Sequence, residues 1–429
     1  MVLVRMPELC ALYLLVITLL VVVATTRFHM MPFLALTLAT SAFALMLGSS
    51  LPWTAGEFNA GFGRAISSAG LAVLIATMVA CLAEESGGAA HLRKVWRGRG
   101  LSVIAALAGL GGSALASLAV LAPVLRAAGT QRTRQGLTAT YAVNAAHACL
   151  PPSPLPIAAL AILNGDWRWA LGLGAVVATA QTLLGWALAR RAPEGHEAAI
   201  MRPSGRAAPG LALASALLIG LIIAQSLGQI PAEPLGGGNT REALLGLGRP
   251  MILLLAGLGV AIFTMGGFRD LSAAGWIGRG AGQSLGVFLA VGAAGGFQLM
   301  LHNNGFAALL AEKAAETSPA LGIAIPFLVA LVSRLLQGSP LTAAITAAGL
   351  MQPMLAVLGL DSEAGRGLVV VAIGVGAMSG PHVNDGYFWL ACHHTGLTPA
   401  QGLRWITGGA LVQGGVALAV LTLLAGLIL

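Results

Sequence analysis

The stretch RLLQGSPLTAAITAAG, Arg334 to Gly349, decides how this chain folds. It lies inside an apolar run, 320–358, far longer than the roughly 20 residues one bilayer crossing takes. Gly338, Ser339 and Pro340 turn the chain in the middle of that run, so it reads as a helical hairpin. Non-helical backbone at membrane depth survives only where protein or a wet cavity satisfies it. Arg334 stands four residues before the tip. An arginine at the membrane centre costs about 2.5–3.5 kcal/mol on insertion scales, so it faces a partner or a cavity, or else snorkels or caps the hairpin's carbonyls.

The composition says the same of the whole chain. Of 429 residues 57% are hydrophobic and 9% charged, against roughly 25% charged in soluble domains. Glycine, at 58 residues, is about twice its usual share and suits close helix approach and unwound turns. Further apolar runs fall near 8–25, 32–49, 66–83, 101–124, 139–163, 170–189, 208–228, 249–267, 283–300, 367–390 and 405–428. The run 101–124 is interrupted by Gly-Leu-Gly-Gly-Ser at 109–113. That at 139–163 is broken by Pro151, Pro152, Pro154 and Pro156, and that at 367–390 by Gly380 and Pro381. The run at 8–25 is span-length and followed by Arg27, so it reads as a retained first helix rather than a signal peptide. Cys10, Cys81, Cys149 and Cys392 are far apart, with no CxxC pair, and read as packing residues; no metal site or cofactor is indicated.

The net charge of +8 does not point to nucleic acid, because the basic residues lie in short loops between apolar runs and set membrane orientation. Arg93, Lys94, Arg97 and Arg99 form one cluster, Arg126, Arg132 and Arg134 a second, and Arg190, Arg191, Arg202 and Arg206 a third. All face the cytoplasm if 101–124 is a re-entrant hairpin. Arg27, Arg269, Arg279 and Arg404 then fall inside too, and both termini outside. Residues 82–90 (LAEESGGAA) echo 300–308 (MLHNNGFAA), and Pro123 and Pro151 match Pro353 and Pro381 at a constant offset of 230. Under this topology matched elements run in opposite directions, the inverted-repeat arrangement of many secondary transporters. The predicted fold is an all-α polytopic membrane protein of two inverted repeats, 1–190 and 208–429, joined by a cytoplasmic linker at 191–207. Each repeat carries a re-entrant hairpin and a broken helix.

Four stretches resemble the gluconate permease family: residues 82–89 (LAEESGGA), 147–156 (HACLPPSPLP), 334–349, and 382–389 (HVNDGYFW). The resemblance implies a proton-coupled symporter of gluconate or a related sugar acid within the ion-transporter superfamily, in a bacterial inner membrane. The chain departs from the family pattern at several points. Leu115 stands where the first hairpin usually carries an aspartate, Ser153 replaces a histidine in the proline run, and Pro340-Leu341-Thr342 shifts a threonine by one place. Gly386-Tyr387 follows Asn384-Asp385 where the family has Ser-Gly.

A hydroxy-carboxylate needs cationic or N–H donors for its carboxylate and Asn, Ser or Thr for its hydroxyls. Candidates for substrate contact are Ser113, Arg334, Gly338, Ser339, Thr342, Thr346 and Asn384. Hydroxyls at the hairpin tip can equally bond back to helix carbonyls. Asp385, His382, Glu84 and Glu85 are candidates for proton or ion coupling, since intramembrane ionisable groups mark such paths. The alternative for Asp385 and His382 is a structural network holding the broken helix. For Glu84 and Glu85, which oppose a helix dipole, it is a salt bridge to Arg93 or Lys94. Asn144, His147, His302, Asn303 and Asn304 are secondary candidates, and Ser113 and Ser117 are the polar groups left in the first hairpin. A sodium-coupled dicarboxylate carrier is the alternative within transport, and an anion channel the next. No GxSxG or HExxH occurs, so no enzyme is expected. A homodimer is expected by analogy alone.

Overall fold

The computed structural model describes residues 7–67, 71–86, 99–110, 113–119, 121–122, 125, 132–151, 153–193, 236–247, 250–303, 322–356 and 358–429, with scattered positions between 209 and 224. The described residues form helices and no strand. In chain order the helices are α1 (Pro7–Thr26), α2 (Pro32–Met46), α3 (Leu51–Ala65), α4 (Leu71–Glu85), α5 (Arg99–Gly109) and α6 (Ala114–Ala119). There follow α7 (Arg132–Cys149), α8 (Pro154–Leu163), α9 (Trp167–Arg190), α10 (Asn239–Leu247), α11 (Pro250–Met265) and α12 (Trp276–Asn303). The last five are α13 (Ala324–Gln337), α14 (Pro340–Met351), α15 (Glu363–Met378), α16 (Gly386–Thr395) and α17 (Pro399–Ile428), which includes a π-helical turn at Leu403–Thr407.

Four described stretches are long and apolar enough to cross a membrane: Arg132–Leu163, Trp167–Arg190, Trp276–Phe297 and Pro399–Ile428. Other apolar helices are shorter because the sequence breaks divide them. α13 ends where Gly338 adopts φ +67°, with its N–H on the Arg334 carbonyl at 2.9 Å. That left-handed conformation suits glycine and closes the helix. Ser339 then caps α14, with Pro340 in the first turn. α13 and α14 pack on each other as the hairpin expected at 320–358. α5 and α6 also pack together, although Gly111 and Gly112 between them lie outside the described residues. The apolar run 367–390 divides at 379–385 into α15 and α16, and the proline run divides α7 from α8.

α15 is the axis of the second half. Nearly all of it is buried, and it packs against α7, α8, α9, α13, α14 and α17. α7 is unusual for a membrane interior: Thr133, Gln135, Thr138, Thr140, Asn144 and His147 are all buried on it. Thr138 and Thr140 return their hydroxyls to the carbonyls of Arg134 and Gly136 at 2.8 Å each. Arg132 donates through Nε to the His394 carbonyl at 2.8 Å and through Nη2 to the His393 carbonyl, so this basic residue closes the C-terminal end of α16. Cys81, Cys149 and Cys392 are buried free thiols.

The apolar-run reading passed over α3. Asn59, Glu57 and Arg64 dilute the hydropathy of α3, yet it makes the most extensive helix contact in the structure, along α12. The two backbones meet at Gly61 and Gly295, while Phe58 and Phe62 lie over Gly296 and Gly292. Small residues at such crossings let dispersion do the work that water exclusion cannot do in lipid. A Cβ at Gly295 would sit 2.7 Å from the Gly61 carbonyl oxygen. Gly295→Val is therefore expected to cost about 1–3 kcal/mol by overpacking. In a thermal unfolding series in detergent its midpoint should fall below that of Gly415→Val, whose added side chain meets nothing within 4 Å.

Candidate functional site

A cavity of about 400 Å³ opens where the two hairpins and the broken helix meet. The start of α6 contributes Ser113, Ala114 and Leu115. The second hairpin's turn contributes Gln337, Gly338, Ser339, Pro340 and Thr342, and the start of α16 contributes Asp385, Gly386 and Tyr387. α3 closes one side with Gly61, Arg64 and Ala65, and α12 with Val291, Gly295 and Leu299. Its volume lies in the range of small-molecule sites. Helices α14 and α16 both begin at its wall, so their free N–H groups and positive dipole ends lie there.

Arg334 is 1% exposed, is not among the residues that line the cavity, and has two partners. Its Nη1 donates to the Gly338 carbonyl, which closes the turn, and its Nη2 pairs with Asp385 Oδ2. Asp385 caps α16 in the same breath: its Oδ1 accepts the Tyr387 N–H at 2.9 Å. Two neighbours bind the hairpin from the broken helix. His382 Nε2 donates to the Leu335 carbonyl at 3.1 Å, while its Nδ1 accepts the Asn384 N–H at 3.3 Å, an arrangement that requires the neutral ring. Asn384 Nδ2 donates to the same Leu335 carbonyl at 2.9 Å. The Leu335 carbonyl near the end of α13 thereby finds two side-chain donors, His382 and Asn384, where its own turns supply none.

The hydroxyls divide between cavity and scaffold. Ser339 Oγ accepts from the Thr342 N–H at 3.4 Å and the Thr342 hydroxyl at 3.1 Å, which leaves its own proton to donate. Ser113 Oγ accepts the Ala116 N–H at 3.1 Å. Ser117 is buried and donates to the Ser113 carbonyl at 2.8 Å. Thr346 lies one helical turn behind Thr342 and accepts from Gln337 Nε2 at 3.2 Å. Gln337 itself lines the cavity, is 2% exposed, and has no hydrogen bond to its Oε1 among the described residues. Gln337 belongs to the hairpin-tip group with Gly338, Ser339, Thr342 and Thr346, and stands adjacent to the tip glycine.

His147, Asn144, Glu85 and Asn303 are not among the residues that line the cavity. His147 Nδ1 meets the Gly109 carbonyl at 2.8 Å and ties α7 to the end of α5. Asn144 donates to Gln413 Oε1 at 3.2 Å, within a buried network in which Gln413 also donates to the carbonyls of Tyr141 and Gln181. Glu85 takes Arg279 of α12 as its partner, where Arg93 or Lys94 was expected; those two lie outside the described residues. Asn303 donates to Glu57 of α3. Glu84 lies in the last turn of α4 and His302 in the last turn of α12; Asn304 is outside the described residues. Away from the spans, hydrogen bonds from the Arg168 side chain and N–H hold Asp166, the cap of α9, below the usual carboxylate range.

The model of the family described as GntP family permease matches residues 8–428. The "Gluconate permease" of Pseudomonas aeruginosa is 28% identical over 434 residues, covering 94% of this chain and 95% of its own. The "High-affinity gluconate transporter" of Escherichia coli is 27% identical, covering 88% and 90%. The "Inner membrane permease YgbN" of the same organism is 26% identical, covering 87% and 89%.

The Arg334–Asp385 pair generates a stability test. Truncating one partner of a buried pair strands the other charge and costs about 3–5 kcal/mol, whereas apolar replacement of both is often near neutral. Arg334→Met or Asp385→Leu alone should lower the thermal midpoint sharply, and the double variant should recover much of the loss. Additive losses in this double-mutant cycle would show that the two side chains are not coupled.

Proposed function

Because this chain belongs to the GntP permease family and is a multi-pass membrane protein of the inner-membrane type, we propose that it is a secondary active transporter of gluconate or a closely related sugar acid. The observation that carries the reading is the cavity shared by both hairpin turns and the start of α16. Two helix N-termini supply N–H donors for an anion, and Ser339, Thr342 and Ser113 offer hydroxyls within the same wall. A polyhydroxylated monocarboxylate needs both kinds of group in one place.

Transport proceeds by alternating access between two inverted repeats, 1–190 and 208–429, with 191–207 as the cytoplasmic linker. Symport of a proton runs through Asp385. Protonation of that carboxyl removes the charge that holds Arg334, and the hairpin then keeps only the His382 and Asn384 bonds to Leu335 as described ties to the break at 379–385. His382 stays neutral in this scheme, as its two hydrogen bonds require, and serves as a strut. The Glu85–Arg279 pair joins the ends of α4 and α12 and gives Glu85 a separate coupling role at the rim, with Glu84 beside it.

Purified protein in liposomes tests the reading. Uptake of labelled gluconate should saturate, show countertransport and accelerate when the outside is acid. Asp385→Asn should keep countertransport and lose accumulation driven by the pH gradient. Uptake that ignores pH but needs sodium would transfer the coupling to sodium, and uptake that never saturates would make the protein a channel.

A further inference from the structure

The charge balance of the cavity wall points to one unassigned residue. Arg64 and Asp385 are the charged side chains lining the cavity among the described residues. Asp385 is already matched by buried Arg334, whose second guanidinium arm is spent on the Gly338 carbonyl. Arg64 is different. It is exposed to the cavity from the last turn of α3, and no hydrogen bond or ion pair engages it among the described residues. Glu57, two turns earlier on the same helix, is occupied by Asn303. The wall therefore presents one uncompensated positive charge. Opposite in chemistry stands Gln337, whose buried Oε1 lacks a donor.

We propose that Arg64 is the carboxylate anchor of the transported substrate, and that Gln337 Oε1 accepts one of its hydroxyls. The assignment rests on the transport reading above and narrows it to hydroxylated monocarboxylates. A planar guanidinium matches a carboxylate with two parallel hydrogen bonds. A second carboxylate would find no further free cation among the described lining residues, and the acceptor Gln337 Oε1 would repel it. A neutral polyol would leave Arg64 unanswered. The alternative role for Arg64 is to offset the C-terminal dipole of α3, as basic residues in last turns do. The two roles differ in whether the substrate's charge matters.

Gluconate and gluconamide carry the same hydroxyls and differ in that charge, so their binding to detergent-purified wild type, Arg64→Gln and Arg64→Lys separates the roles. Wild type should bind gluconate about 30-fold or more tightly than gluconamide, the range expected for a charge-assisted pair. Arg64→Gln should lose that preference while its gluconamide affinity stays within about threefold, and Arg64→Lys should restore part of the preference. An Arg64→Gln protein that still prefers gluconate as wild type does overturns the anchor and leaves the transport reading standing. So does one in which both ligands weaken by the same factor, which is the signature of a helix-stabilising role. Wild type that binds neither ligand overturns the transport reading and the anchor with it.

Discussion

An arginine buried to 1% exposure inside a bundle of apolar helices must be answered, and Asp385 answers Arg334. Stranding either charge in that interior would cost several kcal/mol, so the hairpin that carries one and the broken helix that carries the other are held to a single relative position. The same contact does two further jobs. Arg334 closes the Gly338 turn through its carbonyl, and Asp385 caps α16 through the Tyr387 N–H. His382 and Asn384 then bind the Leu335 carbonyl near the end of α13 from the same seven-residue break. A buried ion pair is weak evidence of net stability. Its value here is geometric, since it brings two helix starts to one cavity wall.

The two hairpins do not contribute equally to that wall. The second presents Gln337, Ser339 and Thr342, and the first presents Ser113 beside Ala114 and Leu115. Leu115 occupies the place where the resemblance implied an aspartate, and its side chain instead packs toward Gly386, where an added Cβ would come within 2.9 Å of it. Among the described residues the first hairpin thus gives the wall shape and one hydroxyl, and the wall's other polar side chains come from the second half and from α3. Behind the wall, α7 carries its own buried polar load through Thr back-bonds and the Asn144–Gln413 contact, so its side chains hold neighbouring helices rather than face the cavity.

Much of this was legible in the residues. Gly338-Ser339-Pro340 and Gly380-Pro381 announce breaks because no lipid-facing helix tolerates them, and each break appears as a turn or cap. Arg334 and Asp385 stood out because charges are rare in such runs. The pairing between them did not, since 51 residues separate the two and nothing local sets that distance. α3 was missed for a different reason. Its face toward α12 is built from Gly61, Phe58 and Phe62, while Glu57 and Arg64 lower its mean hydropathy below that of a span. Glu85 was seen, but its partner Arg279 comes from a helix nearly two hundred residues away.

The sequence by itself determined that the chain lives in a membrane, where glycine and proline break its apolar runs, and which family it belongs to. Those properties follow from hydropathy, from glycine and proline, and from short runs of polar residues, all of which act locally. Only the tertiary structure decided which side chains share a cavity. It put Arg64 from an overlooked helix into the same cavity wall as Gln337 and two helix starts, and it left Glu85 and Asn303 out of that wall. Helix packing in lipid is settled by the fit of small residues and by the need to pair buried polar groups, and both are relations between segments far apart in the chain.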